Sequence, residues 1–292
     1  MAKDFIVAIE LGSSKITGIA GKKNPDGSIT VLSVAKEDSK ACMRKGVVYN
    51  IDKTAQALTN IINKLKGSLQ TDIARVYVGV GGQSLKGVKN VVVKDLPADS
   101  IVTQDIVNEL MDTNRNMKNN DYEVLDAITQ EYKVEMQDEL DPVGVQACHI
   151  EGNFLNLLWR KTFNRSLNKC FDNAGIPIAE MYVTPLAMAE EILTEAEKRA
   201  GCMLVDLGAD TTTVAIYTRD ILRHLFVLPL GSNNITKDLT TLKMEEREAE
   251  AMKLKYASAY TEVADIDASM LWAIDNNRSV NSRLFIDVVE AR

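Results

Sequence analysis

The sequence predicts an α/β protein of two related lobes, with an α+β block inserted into the first. Three observations carry this expectation. Residues 7–21, VAIELGSSKITGIAG, and residues 203–217, MLVDLGADTTTVAIY, repeat one order of apolar, acidic, Leu-Gly, small polar and apolar positions. Around them strands alternate with amphipathic helices, as in α/β architectures. Over residues 83–180 that alternation gives way to a strand-helix-strand-strand-helix order.

Taken along the chain, Phe5 to Ala20 reads as strand, tight turn and strand, and GSITVLSVAKE (27–37) as a third strand after the Asp26-Gly27 turn. TAQALTNIINKLKGSLQ (54–70) sets Leu58, Ile61, Ile62, Leu65 and Leu69 on one helical face. In ARVYVGVGG, Val76, Val78 and Val80 alternate as in a half-buried strand. Beyond Gly82, GVKNVVVKDL is a strand, and Thr103 caps a helix carrying Ile106, Val107, Leu110 and Met111. YEVLDAITQEYKVEM and QACHIEGNFLNLLWRK read as strands, and SLNKCFDNAG as a helix from Ser166 to a stop at Gly175. Strand AEMYV precedes one helix expected over 184–201, with Thr184 at the N-cap, Pro185 at N1 and Gly201 as its stop. After the second hairpin and the strand HLFVLPLG, the pattern from Ser232 onward is helical.

The 292 residues suit about two domains, and 46% hydrophobic with 26% charged residues is ordinary globular composition. A net charge of −7 argues against general nucleic-acid binding, which needs basic excess to neutralise phosphates. Cys42, Cys148, Cys170 and Cys202 lack metal-ligand spacing and read as free thiols of a cytoplasmic protein. No run approaches the ~18 apolar residues of a membrane span. His149 and His224 lie in apolar strand patterns and read as buried structural histidines, with Trp159 in the core.

The doubled hairpin carries the chemistry. A turn rich in Gly, Ser and Thr offers backbone N–H groups to phosphate oxygens, and Lys15 adds a positive charge. The acid before each Leu-Gly, Glu10 or Asp206, is repelled by phosphate. It suits holding Mg²⁺ through water or orienting an attacking water. One such hairpin is a commonplace turn. Two in the same frame, too far apart for a solenoid repeat, fit two lobes gripping one triphosphate.

The two hairpins resemble the phosphate motifs of the actin-like ATPases, the duplicated ribonuclease-H-like fold. VYVGVGGQSLKG, NKCFDNAGIPIAEMYVTPLAMAEEIL and LPLGSNNITKDL resemble the FtsA family of bacterial cell-division proteins. The resemblance implies subdomain IA over 1–82 and 181–200, an inserted subdomain IC over 83–180, and partial subdomains IIA (201–234) and IIB (235–292). The first lobe is expected to be complete, the second incomplete, and the chain a C-terminally truncated form.

It also implies ATP and Mg as cofactors. Gly12, Ser13, Ser14 and Lys15 would contact phosphates from one lobe, and Gly208, Asp210, Thr211 and Thr212 from the other. Glu10 and Asp206 would be the catalytic and metal residues, with Glu10 standing where the family usually has Asp. Glu250 and Lys253 would be nucleoside contacts; read from the residues alone they are a charge pair on a solvated helix. The implied function is a scaffold linking the FtsZ ring to the inner membrane and recruiting later division proteins through subdomain IC. Its partners would be the FtsZ C-terminal tail and copies of itself in actin-like filaments. A C-terminal helix that this chain lacks would bind the membrane, and nucleotide would act as a conformational switch with at most weak hydrolysis. The alternatives are a small-molecule kinase on the same fold and a pilus-assembly adaptor.

Overall fold

The computed structural model describes residues 5–262, 267 and 269–292. The chain divides into two compact units, Met1–Asp206 with Thr211–Pro229 and Leu207–Asp210 with Leu230–Arg292.

The first unit is founded on a five-stranded sheet. β1 (Ile6–Leu11), β2 (Lys15–Lys23) and β3 (Ile29–Asp38) form an antiparallel meander, and β6 (Val76–Val80) and β11 (Ile178–Val183) extend it in parallel, in the order β11-β6-β1-β2-β3. Short strands β4 (Met43–Arg44) and β5 (Val47–Val48) pair with each other beside it. α1 (Ile51–Leu69) starts where the Asn50 side chain accepts the Lys53 N–H at 3.0 Å and ends at Gln70 in the left-handed conformation. Its Leu58, Ile61 and Leu65 are fully buried against Val7, Ile9, Val76 and Val78 of the sheet.

α3 (Lys161–Ala174) adds Phe163, Leu167 and Phe171 to that same core. It begins five residues before the expected start at Ser166, because Phe163 must be helical to reach the core. Residues 161–174 therefore pack with the first sheet, although the expected insertion ran to 180. The far side of this sheet is a second departure. Ile6 (49% exposed), Ile19, Val34 (50%) and Tyr182 face solvent there, so the first lobe is covered on one face only.

The insertion itself is a separate antiparallel sheet, β7-β10-β8-β9. It comprises β7 (Lys86–Asp95), β8 (Tyr122–Val134), β9 (Gln137–Glu139) and β10 (His149–Arg160). α2 (Gln104–Arg115), capped by Thr103, covers one face through Leu110, Ile150 and Phe154. Beneath it Asn114 and Asn156, both fully buried, exchange side-chain amide bonds at 2.7 and 2.8 Å, and Asn90 donates to Asn114. Buried amides that satisfy one another in this way fix the helix on the sheet at no desolvation penalty.

The opposite face receives β12 (Cys202–Leu207), β13 (Thr212–Thr218) and β14 (Ile221–Leu228). Leu155 and Leu157 of β10 pack with Ala215, Tyr217, Leu222 and Leu225. β10 is thus buried on both sides, which explains its run FLNLLW, apolar but for the amide-paired Asn156. The single helix expected over 184–201 is two, α4 (Thr184–Ile192), which begins one residue early after Val183, and α5 (Glu195–Ala200). Thr194 forms a capping box with Glu197, and that local bonding restarts the helix.

In the second unit α6 (Ser232–Leu239), α7 (Glu246–Tyr256) and α8 (Ser282–Glu290) share a core of Leu239, Ala249, Met252, Phe285 and Ile286. β15 (Leu271–Ala273) and β16 (Ser279–Asn281) pair beside them, with Trp272 stacked on Tyr256 at 4.3 Å.

Gly46 and Gly82 lock the insertion to the first sheet. Both have positive φ (71° and 77°), and a Cβ on either would come within 2.4 or 2.5 Å of the other's Cα. Gly82→Ala is expected to destabilise the first unit by about 3 kcal/mol through left-handed strain plus a backbone clash. Gly27→Ala, at φ 87° with open space around it, should cost only about 1 kcal/mol. Urea denaturation of both variants measures the difference.

Candidate functional site: two carboxylates at the ends of matched hairpins

The first hairpin turns at Gly12–Ser14, where the Gly12 N–H donates to Lys15 O at 3.1 Å. Distant residues pin this loop. Ser39 Oγ donates to Gly12 O at 2.7 Å, the Ser39 N–H donates to Ser14 O at 3.2 Å, and the Gly46 N–H donates to Ser13 Oγ at 2.8 Å. Ser13 is buried, and its hydroxyl oxygen serves the Gly46 turn. The Ser13 and Ser14 N–H groups have no acceptor among the described residues. The loop therefore presents backbone donors in a fixed shape, the form that binds phosphate oxygens.

Glu10 and Asp206 stand one residue before the ends of β1 and β12, and the fold brings them together. Desolvation pushes the Glu10 carboxyl above its ordinary pKa, the negative charge of Asp206 pushes it further, and Lys15 opposes both. Desolvation also raises Asp206. Two mutually repelling carboxylates beside one lysine lack positive charge, and a divalent cation would supply it. Among the described residues no group of three or more His, Cys, Asp or Glu could cage a metal. A Mg²⁺ here would keep water and phosphate ligands, as that ion prefers.

Thr211 precedes β13 and Thr212 opens it, both in the first unit. Gly208 and Asp210 belong to the second unit, where the loop is tied to the start of α6. The Ser232 and Asn233 N–H groups donate to Gly208 O and Ala209 O at 3.0 and 2.8 Å, and Asn233 Nδ2 donates to Asp210 Oδ1 at 2.7 Å.

Glu250 and Lys253 do form the expected i,i+3 pair at 2.7 Å, but not on a solvated face. Lys253 is only 9% exposed, and its ammonium also donates to Thr236 Oγ1 and Ser232 O at 2.8 and 3.2 Å. Thr236 in turn donates to Glu250 Oε2 at 2.6 Å. All three donors of the ammonium are taken, so Lys253 fixes Glu250 and joins α7 to α6.

No sequence pattern marks Ser39, Gly46 or Asn233 as loop supports or Thr236 as a partner of Glu250, because each acts across a long separation on a backbone or side-chain atom. The histidines are also not buried as expected. His149, the half-buried first residue of β10, bonds Asp95 and Glu151 at 2.8 and 3.3 Å, and His224 is exposed on β14. Trp159 is in the core.

Two family descriptions match the chain. "SHS2 domain inserted in FTSA" covers residues 82–158, the inserted sheet, and "Cell division protein FtsA" covers residues 203–283. Together they span more than half of the 292 residues. The chain belongs to the FtsA family. A curated FtsA of Porphyromonas gingivalis is 34% identical over 254 residues, 86% of this chain, and the chain spans about half (53%) of that relative. The solved PilM-PilN type IV pilus biogenesis complex superposes with a TM-score of 0.61 at 16% identity, covering 86% of this chain and 69% of the other. MreB5 of Spiroplasma citri bound to ADP gives 0.53 at 9% identity, covering 99% and 75%. These likenesses establish the actin-like fold with an inserted α+β domain. No helix among the described residues of this FtsA-family chain is long and apolar enough to cross a membrane.

Because the folded Glu10 pKa lies above its unfolded value, the folded state binds the proton more tightly. Stability is therefore lost as pH rises through the interval between the two values. Glu10→Gln is expected to raise the melting temperature of the ligand-free protein at neutral pH. The gain should vanish at pH values below the ordinary carboxylate range, where both forms are neutral. A thermal denaturation series against pH tests this, and a loss of stability at neutral pH would contradict it.

Proposed function

We propose that this chain is the nucleotide-responsive part of an FtsA-type division scaffold. The observation that carries the reading is the meeting of Glu10 and Asp206 from two hairpins of matched sequence, beside a loop whose Ser13 and Ser14 amides have no acceptor among the described residues. Mg²⁺ would be held through water by Glu10 and Asp206. Gly12, Ser13, Ser14 and Lys15 would bind phosphate oxygens, with Ser13 acting through its N–H. Thr211 and Thr212 would add hydroxyls, and the second unit's Gly208 and Asp210 further phosphate contacts. Glu250 would meet the nucleoside, and Lys253 would orient it.

The Glu10 side chain is one methylene longer than the usual family Asp, which alters a water-mediated Mg²⁺ geometry and favours slow hydrolysis. ATP would then act as a switch between conformations more than as fuel. That MreB5 was solved with ADP supports the ligand class. In the whole protein, we propose, this scaffold self-associates, receives the C-terminal tail of FtsZ and joins the ring to the inner membrane at the division site. Later division proteins would dock on the inserted domain.

Calorimetric titration with ATP, with and without Mg²⁺, tests the site. Magnesium should tighten binding to the unaltered chain, and Asp206→Asn should abolish that gain, with Lys15→Ala weakening binding by about tenfold as a lost phosphate charge contact does. Binding that ignores both magnesium and Asp206 would overturn the reading. Capture by an immobilised FtsZ-tail peptide tests the scaffold role separately.

A further inference from the structure

The inserted sheet has an open edge. β7 ends the order β7-β10-β8-β9, and among the described residues it pairs with β10 alone. That register runs without a shift from Lys86↔Leu158 to Asp95↔His149, and just beyond it the Leu96 N–H donates to Cys148 O at 2.8 Å. Hydrogen-bonded positions alternate along an antiparallel ladder. The bond at Leu96 therefore assigns the even-numbered residues of β7 to β10. The backbone groups of Lys89, Val91, Val93 and Asp95 turn to the open edge, where no other bond takes their N–H groups among the described residues.

The side chains of these four residues also share one face. Asn90, Val92 and Lys94 turn towards α2, where Asn90 donates to Asn114 and Lys94 pairs with Glu109. Lys89, Val91, Val93 and Asp95 turn the other way, and the two valines are 51% and 54% exposed. An unpaired, β-branched edge is a template for another strand, which proteins commonly blunt with lysine. Here that guard is weak. Lys94 is neutralised by Glu109 and Lys86 lies over the Tyr122 ring at 3.8 Å, which leaves Lys89.

The edge is complementary to itself. Antiparallel pairing about a two-fold axis at Val92 sets Val91 against Val93, and Lys89 against Asp95, of a second copy. All four are residues whose backbone groups face outward, so this register also completes the ladder. Moving the axis to Val91 would oppose Lys89 to Val93, and moving it to Val93 would oppose Val91 to Asp95. Only the axis at Val92 pairs charge with charge and valine with valine. Asp95 can take the lysine, because its side chain stays 86% exposed while one oxygen meets His149 Nδ1 at 2.8 Å.

We propose that the β7 edge docks a second copy of this chain, the two strands joining antiparallel about Val92 into one continuous sheet. The contact is isologous and closes on itself, whereas the filament reading above needs a head-to-tail contact that repeats. It uses no residue of the nucleotide site. A short ladder and four valines bury less than the about 1,200 Å² of a standard interface, so the dimer is weak, with a dissociation constant on the order of 100 μM.

Sedimentation equilibrium over a concentration series, without nucleotide, measures the dimer, and its failure leaves the nucleotide reading untouched. Asp95→Lys should weaken the dimer about tenfold, since it opposes like charges at both ends of the ladder, and Lys89→Asp should do the same. The double variant Lys89→Asp with Asp95→Lys should recover the dimer, which a merely structural role of Asp95 would not allow. Thermal denaturation of each variant checks that it folds. Cross-linking reads the register, in Cys148→Ser protein to remove an exposed thiol. Val91→Cys mixed with Val93→Cys should give a disulfide-linked dimer with oxidised glutathione, because facing residues lie about 5.5 Å apart between Cα atoms. Either variant alone should link far less, its two cysteines being diagonal neighbours about 7–8 Å apart. A chain monomeric at every concentration, a dimer indifferent to Asp95→Lys, or equal cross-linking in the single variants would overturn the contact.

Discussion

The back-to-back contact of Gly46 and Gly82 is the constraint on which the rest of the first unit hangs. Two backbone turns approach so closely that neither tolerates a side chain. One turn donates its Gly46 N–H to Ser13, fixing the first loop, and the other leads directly into the inserted sheet. The Gln83 N–H donates to Lys45 O at 2.8 Å and closes the junction. The pinned first loop and the inserted sheet therefore share one joint. A change in the loop's shape would act directly on that joint, with no long-range chain of side chains between them.

The packing around this joint explains a feature that composition alone would misread. The inserted sheet carries apolar residues on both faces because it has two partners, α2 on one side and the second hairpin's sheet on the other. The founding sheet has helices on one face only, and Ile6, Ile19 and Val34 are left in water on the other. The second hairpin's sheet shows the same asymmetry. Cys202 and Leu204 turn inward, while Met203 (60% exposed) and Leu207 (77%) turn outward together with Phe226. Alternation that is apolar in both phases is the pattern of a strand buried on two sides. These strands have the sequence of two-sided burial and the surroundings of one-sided burial.

Much of this was legible because it rests on local order. The two hairpins, α1 with its apolar stripe, the Thr103 cap and the separate inserted sheet all follow from periodicity and turn chemistry within a dozen residues. The pairing of Glu10 with Asp206 was legible through the repeat, since matched frames place matched side chains. What escaped was non-local. The start of α3 at Lys161 is set by Phe163 reaching a core built from α1. The break before Glu195 is set by a capping box that a uniform apolar pattern conceals. His149, set among apolar neighbours, finds Asp95 on the adjacent strand. The supports of the loops, Ser39 and Asn233, act through single hydrogen bonds that leave no periodic trace.

The acid pair also accounts for why the fold would respond to a bound cation at all. Its carboxylates oppose folding when charged, since burial and mutual repulsion both favour the protonated forms. A cation that neutralises them removes that opposition only in the folded state, so its binding adds to stability by mass action. The founding hairpin is otherwise secured by β2, β6 and the pinned loop, and it tolerates the repulsion without opening. Strain of this kind is concentrated on the two ends of β1 and β12, where the strands leave the cores that hold them. The ligand's leverage therefore falls on the loops and not on the sheets. The repelling carboxylates thus stand near the turns of the two hairpins, where the strands β1 and β12 of the first unit end.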